Sequence, residues 1–239
     1  MSGTDDDMTH NAGACETPLH VRACGRQWLL HRAASLDALW DAMTADEASP
    51  AFEDERIPYW TELWPSSVVL AEWLTLQRAA LAGVPCLDMG CGLGLTAMVG
   101  AWLGARVLAM DYEPEAVRFA RRNALANGIA SPLFTVMDWR HPAVGRGSVA
   151  RVWGGDIMYE KRFVQPVLRF LEHALTRGGK AWIAEPGRSV YDAFRHALHG
   201  MGWQGRRVHS ATVEPLYAQP VRVTVHVWEL ERAPGRVAP

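Results

Sequence analysis

"LDMGCGLGL", residues 87–95, begins as a short apolar run interrupted by Asp88 and then carries glycine at every second position, Gly90, Gly92 and Gly94. Glycine is favoured where backbone must turn sharply or approach a ligand closely, so the segment reads as a buried strand opening into a ligand-cradling loop. Two familiar phosphate binders are excluded by spacing. A dinucleotide fingerprint would need a glycine at 95, which is Leu95, and a phosphate loop would need a following Gly-Lys-Ser/Thr, which is absent. Asp88 sets the charge: another anion beside it would be repelled, and a cationic ligand attracted.

Outward from this loop, strand-like and helical stretches alternate. A helix is expected from Ser66 to about Ala80, opened by the Ser66-Ser67 pair after a proline, and a strand at "PCLDMG" leads into the glycine loop. A helix runs from Gly94 to about Leu103, a strand covers "ARVLAMD", and Pro114 opens a helix that ends near Asn127-Gly128. "LFTVMD" and "SVARVWGGDIMY" read as strands, and "RFVQPVLRFLEHAL" as a helix with apolar spacing at Phe163, Val167, Phe170 and Leu171. Gly178-Gly179 reads as that helix's stop before the strand "GGKAWIAE". After the helix "SVYDAFRHALHGM", the strands "GRRVHSATV" and "VRVTVHVWELE" leave no room for a crossover helix, so they must be antiparallel. The result is an α/β fold: a mostly parallel sheet covered by helices on both faces, with one reversed strand. Ahead of it, residues 1–18 read as a small, polar, acidic tail. "HVRACGRQWLLHR" reads as a hairpin around Cys24-Gly25, Ser35 as the cap of a short helix "LDALWDAM", and "TADEASPAFEDER" as an acidic linker. The extension spans 19–56, the main domain 57–231, and a tail 232–239.

In an open parallel sheet the ligand sits beyond the carboxyl ends of the strands, where the glycine loop lies. S-adenosylmethionine fits the charge pattern there, with a sulfonium and an ammonium near one carboxylate and no phosphate. Asp111 closes the next strand, 23 residues after Asp88, where a carboxylate can accept both hydroxyls of a ribose. Asp138 follows the strand after that and could accept from an adenine amino group, with Trp139 as an apolar wall. Singly, each acid is equally a solvated loop residue; three at the ends of three successive strands are harder to dismiss.

With these features the chain resembles the class I, seven-β-strand S-adenosylmethionine-dependent methyltransferases, over roughly residues 57–231. The resemblance implies a Rossmann-like sheet of order 3-2-1-4-5-7-6 with strand 7 antiparallel. "PYWTELWPSS", "MDW" and "DIMYE" make it more narrowly similar to the lysine-directed branch, which includes the electron-transfer-flavoprotein lysine methyltransferases and bacterial relatives described as nicotinamide N-methyltransferase-like. By that resemblance Trp64 contacts the cofactor, and Asp156 and Tyr159 form an Asp-x-x-Tyr pair lining the methyl-acceptor pocket. Cys91 stands where many relatives carry alanine or another small residue, and is compatible with the loop. Trp60 and Trp64, beside Tyr59 and Pro65, read as pocket walls, with Trp60 on the substrate side. The expected reaction is methylation of a protein lysine. A small amine or heterocycle is the alternative acceptor, and a non-catalytic binding protein of this fold the third reading. A lysine amine, with pKa about 10.4, costs roughly 4 to 5 kcal/mol to deprotonate at pH 7. Asp156 could hold the incoming ammonium and orient the amine as its proton leaves, while Tyr159 supplies an oxygen or an aromatic wall. Alternatively, Asp156 caps the helix beginning near Lys161 and Tyr159 packs in the core.

Composition narrows the remaining classes. The 239 residues, 49% hydrophobic, can bury one sizeable α/β core, and a net charge of −2 provides no global electrostatic reason to bind nucleic acid or an anionic membrane. Arg118, Arg121 and Arg122 read as a solvated helix face. Cysteines 15, 24, 86 and 91 lack metal or redox spacing, which fits a reducing cytoplasm, and neither a membrane span nor a signal peptide is expected. His196 and His199 share a helix face with no third ligand, so no metal is expected. No Gly-x-Ser-x-Gly elbow supports a hydrolase.

Overall fold

The computed structural model describes residues 18–33, 36–44, 57–216 and 221–233. The expected tail up to residue 17, Ser35 as a cap, the linker over 45–56 and residues 234–239 lie outside the described residues. Strands β1 (Leu19–Ala23) and β2 (Arg26–Leu30) form an antiparallel hairpin. Its two-residue turn places Cys24 at φ 57° and Gly25 at φ 72°, the double left-handed geometry that matches strand twist. Helix α1 (Leu36–Thr44) follows, and a 3-10 turn over Tyr59–Thr61 leads into α2 (Pro65–Leu76) and the short α3 (Arg78–Leu81).

The main sheet then builds in alternation: β3 (Pro85–Met89), α4 (Leu95–Trp102), β4 (Arg106–Asp111), α5 (Pro114–Ala126), β5 (Leu133–Val136) and β6 (Val149–Gly155). A 3-10 turn at Lys161–Phe163, α6 (Val164–Ala174), β7 (Leu175–Glu185), α7 (Val190–Gly200), β8 (Trp203–Val213) and β9 (Val223–Arg232) complete it. The seven strands lie in the order β5-β4-β3-β6-β7-β9-β8. The first five pair in parallel, and β9 is antiparallel to both neighbours. Counted within this sheet the order is the expected 3-2-1-4-5-7-6.

Strand alternation sorts the interior into two cores. Cys86, Val107, Trp153, Trp182, Val225 and Val227 pack with α2, α4, α5 and the hairpin, while Leu87, Met89, Val152, Ala181, Ile183 and Leu230 pack with α6 and α7. A sheet covered on both faces has no solvent side, which is why its strands read as nearly continuous apolar runs.

Two asparagines one turn apart, Asn123 on α5 and Asn127 at its C-cap, fasten the hairpin to this body. Asn127 exchanges side-chain hydrogen bonds with the backbone of Leu29, accepting from its N–H at 2.9 Å and donating to its carbonyl at 2.7 Å. Asn123 does the same with His31, at 2.6 and 2.9 Å, and also donates to the Leu93 carbonyl in the glycine loop at 3.0 Å. Each amide therefore acts as a one-residue strand.

Three local expectations are corrected. Pro65 is the first helical residue of α2 and Trp64 its N-cap, so Ser66 and Ser67 lie inside the helix and neither caps it. That helix breaks at Gln77 instead of running on to Ala80. Helix α6 ends at Ala174, and Gly178-Gly179 lies within β7, where the register against β6 slips between Val149 and Arg151. A Cβ on Gly179 would meet the Thr176 and Ala150 carbonyl oxygens at 3.0 and 3.1 Å, so this bulge, and not a helix stop, requires glycine.

Asn123 is fully buried, and Asn123→Ala leaves the His31 and Leu93 backbone groups without their partner. Urea unfolding of the full chain should show a loss of about 2–4 kcal/mol.

Candidate active site

The glycine loop carries β3 into α4 with Gly90, Gly92 and Gly94 all at positive φ, 69°, 49° and 86°. Space demands glycine as strongly as conformation does: a Cβ at Gly90 would lie 2.8 Å from Ile157 Cγ2, and one at Gly94 2.9 Å from Ala120 Cβ. Asp111 Oδ2 accepts from the Gly92 N–H at 2.9 Å, and the Cys91 N–H donates to the Met110 carbonyl at 2.9 Å. Burial, with Asp111 and Asp88 nearby, pushes the Cys91 thiol well above its usual range, which keeps it neutral and unreactive.

One cleft at the carboxyl ends of the strands is lined by Trp60, Trp64, Gly90, Cys91, Gly92 and Gly94, and by Asp111, Asp138, Trp139, Asp156 and Tyr159. Asp88 is the exception. It lies in β3 before the strand ends, paired in register with Ala109 and Trp153, and strand parity turns it with Cys86 toward α4. Fully buried, its Oδ2 accepts from Thr96 Oγ1 at 2.6 Å, while Oδ1 and the Trp153 indole N–H nearby have no hydrogen-bond partner. Burial, with a smaller push from Asp111, raises its acid to about 7 against the partial opposition of Thr96 and Trp153. The structure differs from the expectation that this carboxylate meets a ligand by contact: Asp88 is buried beneath the loop and does not line the cleft.

The other acids arrive already partnered. Asp111 accepts from Gly92 and, through Oδ1, from the Glu113 N–H at 3.1 Å; burial nonetheless raises its acid. Each carboxylate oxygen keeps a second lone pair, so a ribose diol can still be accepted there. Asp138 is engaged by Arg140, from its backbone N–H at 2.7 Å and its Nε at 2.8 Å, a local turn that the spacing of one residue makes possible.

The wall facing the glycine loop carries an aromatic chain. Trp64 meets Tyr59 edge-on at 5.7 Å, Tyr59 meets Tyr159 at 5.1 Å, Tyr159 meets Phe163 at 5.0 Å, and Phe163 meets Trp139 at 5.4 Å. Trp64 is fixed by its indole N–H donating to the Tyr59 carbonyl at 2.9 Å. Trp60 stands outside this chain of rings: its own ring lies against Phe119, and its carbonyl stands 3.5 Å from where a Gly92 Cβ would be. Trp60 and Tyr59 both line the cleft, and Tyr59 is the one that joins the aromatic chain.

Asp156 directly follows β6 at φ 55°, a left-handed conformation that aspartate tolerates better than most residues, and its N–H donates to the Ala184 carbonyl at 2.8 Å. It caps no helix, since Phe163 occupies the N-cap of α6 without a side-chain bond. Its carboxylate is held by Arg188, Nε to Oδ1 at 2.8 Å and Nη2 to Oδ2 at 2.9 Å. The sequence signalled nothing of this pairing, because 32 residues and a whole helix-strand unit separate the two. Burial pushes the Tyr159 phenol above its usual range, so it stays protonated. His196 and His199 are exposed, and the described residues contain no group of three or more potential metal ligands.

This sheet order, with its reversed strand and its cleft at the glycine loop, is the class I methyltransferase fold. The family model for ribosomal protein L11 methyltransferase (PrmA) matches residues 72–148. Over 159 residues, 63% of this chain, it is 31% identical to the electron transfer flavoprotein beta subunit lysine methyltransferase of Danio rerio, and the match spans 59% of that relative. Ribosomal protein L11 methyltransferase of Pseudomonas aeruginosa is 36% identical over 98 residues, 41% of this chain and 33% of its own length. The crystal structure of ribosomal protein L11 methylase from Lactobacillus delbrueckii subsp. bulgaricus superposes with a TM-score of 0.52 at 21% identity, covering 69% of this chain and 77% of that one. No helix among the described residues is long and apolar enough to cross a membrane.

Because folding raises the Asp88 acid from 3.8 to about 7, the folded chain holds a proton that the unfolded chain releases, and stability falls as pH rises through that window. Asp88→Asn removes the penalty. Its melting temperature relative to wild type should climb between about pH 4 and 7 and then level off, by about 2–4 °C for each kcal/mol relieved; thermal unfolding across that range checks it.

Proposed function

We propose that the chain is an S-adenosylmethionine-dependent N-methyltransferase acting on a protein lysine. The carrying observation is one cleft with two chemically distinct walls: the left-handed glycine loop with Asp111 on one side, and Asp156 with the Tyr59–Tyr159 pair on the other. The first wall fits the cofactor. Its backbone has no Cβ at the points of closest approach, the acid at its strand end retains lone pairs for two hydroxyls, and the buried Asp88 favours positive charge above it. The loop from Gly90 to Gly94, Asp111, Asp138, Trp139 and Trp64 would hold the cofactor, which supplies an electrophilic methyl group on a sulfonium when bound.

The second wall presents the acceptor. In-line displacement needs an uncharged nitrogen aimed at the methyl, and positioning supplies much of the acceleration. Asp156 accepts an N–H of the amine and the protonated Tyr159 phenol flanks it, while the aromatic chain excludes water and encloses an alkyl stem. The relatives named for lysine methylation of electron transfer flavoprotein beta subunit and for methylation of ribosomal protein L11 support a protein acceptor over a free small amine.

The full chain incubated with methyl-labelled cofactor and a proteome extract should place label on lysine ε-amines of protein; label only on small amines would overturn the protein reading. Calorimetric titration should show binding of S-adenosylmethionine and no binding of NAD. Asp111→Ala should weaken cofactor binding by about one to two orders of magnitude, the loss of a charge-assisted contact worth roughly 1.5–3 kcal/mol. Asp156→Asn keeps a residue that tolerates the left-handed backbone and deletes the charge. Methyl transfer should fall by about two orders of magnitude with cofactor affinity little changed.

A further inference from the structure

The acid of the acceptor wall already has a cation on it. Arg188 follows Pro186-Gly187 in the turn after β7, and its side chain, 38% exposed, clasps an Asp156 side chain that is 5% exposed. The turn is braced: buried Glu185 accepts from the Gly187 N–H and, through Oε1, from the Trp228 indole at 3.0 Å. The Arg188 carbonyl accepts from the Tyr191 N–H at 2.9 Å, and its guanidinium lies 5.9 Å from the Trp64 ring centre. Bidentate geometry uses one lone pair on each Asp156 oxygen and leaves the others open.

This arrangement alters what Asp156 can bind. An ammonium approaching the carboxylate would sit beside a fixed guanidinium that cannot give up its proton, so the attraction to Asp156 is offset by repulsion from Arg188. A neutral amine feels no such repulsion and can still donate an N–H to a remaining lone pair. We propose that Arg188 is a specificity-determining residue of the acceptor site: by holding Asp156 and cancelling its charge, it makes the pocket admit an amine in its neutral, nucleophilic form in preference to the ammonium. The inference rests on the amine-acceptor reading of this cleft. The ammonium proton leaves to solvent before entry. The nitrogen lone pair then forms the N–C bond, and the S–C bond breaks with its electrons returning to sulfur.

Other charged and titratable groups face this pair. Tyr59 of the first 3-10 turn and Glu185 at the end of β7 act on Arg188, while Glu160 and Arg162, from the loop after β6 and the second 3-10 turn, act on the neighbouring Tyr159. Asp192 and Arg195 of α7, Arg207 of β8 and His226 of β9 line a second cleft that Arg188 shares. All are common to wild type and an Arg188 variant, so a difference between the two isolates Arg188.

The test uses the full chain loaded with S-adenosylhomocysteine and n-butylamine as a stand-in for the lysine side chain, with binding followed by NMR between pH 7 and 9. If only neutral amine enters, apparent affinity in wild type rises about tenfold per pH unit, since an alkylamine with pKa near 10.4 is mostly protonated throughout. Arg188→Gln should lose that slope and bind at least tenfold more tightly at pH 7, and Arg188→Lys, which restores a cation, should keep the slope. An unchanged slope in Arg188→Gln, with or without weaker binding, would overturn the proposal while leaving the acceptor site intact. Binding of S-adenosylhomocysteine with no binding of n-butylamine to wild type would instead overturn the amine-acceptor reading, and this inference with it.

Discussion

Two side chains decide whether the glycine loop is a site or merely a flexible connection. Three left-handed glycines within five residues leave the backbone between β3 and α4 with many alternative paths. Asp111 Oδ2 selects one by accepting from Gly92, and Asn123 Nδ2 selects the same one by donating to the Leu93 carbonyl. Both anchors stand on elements that follow the loop, β4 and α5, so it acquires its shape only when the β3-α4-β4-α5 unit has closed. Asn123 also binds His31, which makes the hairpin extension part of the support of the glycine loop. Glu62 adds a second link, accepting from Arg32 at 2.7 Å while lining the cleft.

Four carboxylates gather at or beneath the ends of four neighbouring strands, and the structure keeps them from repelling one another apart by giving each a different donor. Asp138 has Arg140, Asp156 has Arg188, Asp111 has backbone N–H groups, and Asp88 has a single hydroxyl. The ranking of donor strength accounts for the outcome at Asp88. A neutral hydroxyl offsets little of the burial cost of a charge, so that acid is raised to about 7. A cationic ligand above the loop would relieve it, which couples occupancy of the cleft to the ionisation of a residue the ligand does not touch.

Most of the architecture was readable from local signals. Hydrophobic period, glycine and proline punctuation, and acids at successive strand ends led to the sheet, its reversed strand, the glycine loop, Asp111 and Asp138, while Trp64, Asp156 and Tyr159 came from the family resemblance. What escaped follows a physical pattern. Asp88 was misplaced because strand-end position was inferred without strand parity; one residue further from the end, it faces α4 instead of the cleft. The Gly178-Gly179 bulge looked like a helix stop because glycine serves both purposes, and only the Ala150 carbonyl across the strand distinguishes them. Arg188, Tyr59 and Asn123 carry no local signal, since each acquires its role from a partner brought in by the fold.

The Asp-x-x-Tyr spacing then has a geometric explanation. Asp156 is pinned to the Ala184 carbonyl while adopting φ 55°, and that single left-handed residue turns the chain out of β6 and back across the strand ends. Ile157 comes down over the glycine loop, so close that a Gly90 Cβ would be 2.8 Å from its methyl, and two residues later Tyr159 meets Tyr59. Glycine at 90 and a left-handed aspartate at 156 are therefore one constraint seen from two sides: the loop after β6 rests on the glycine loop through the Ile157 side chain, with no room for a side chain at residue 90. Any displacement of the glycine backbone must move Ile157, and with it the carboxylate and phenol on either side of it, so the two walls of the cleft are held in register by contact rather than by the distant scaffold.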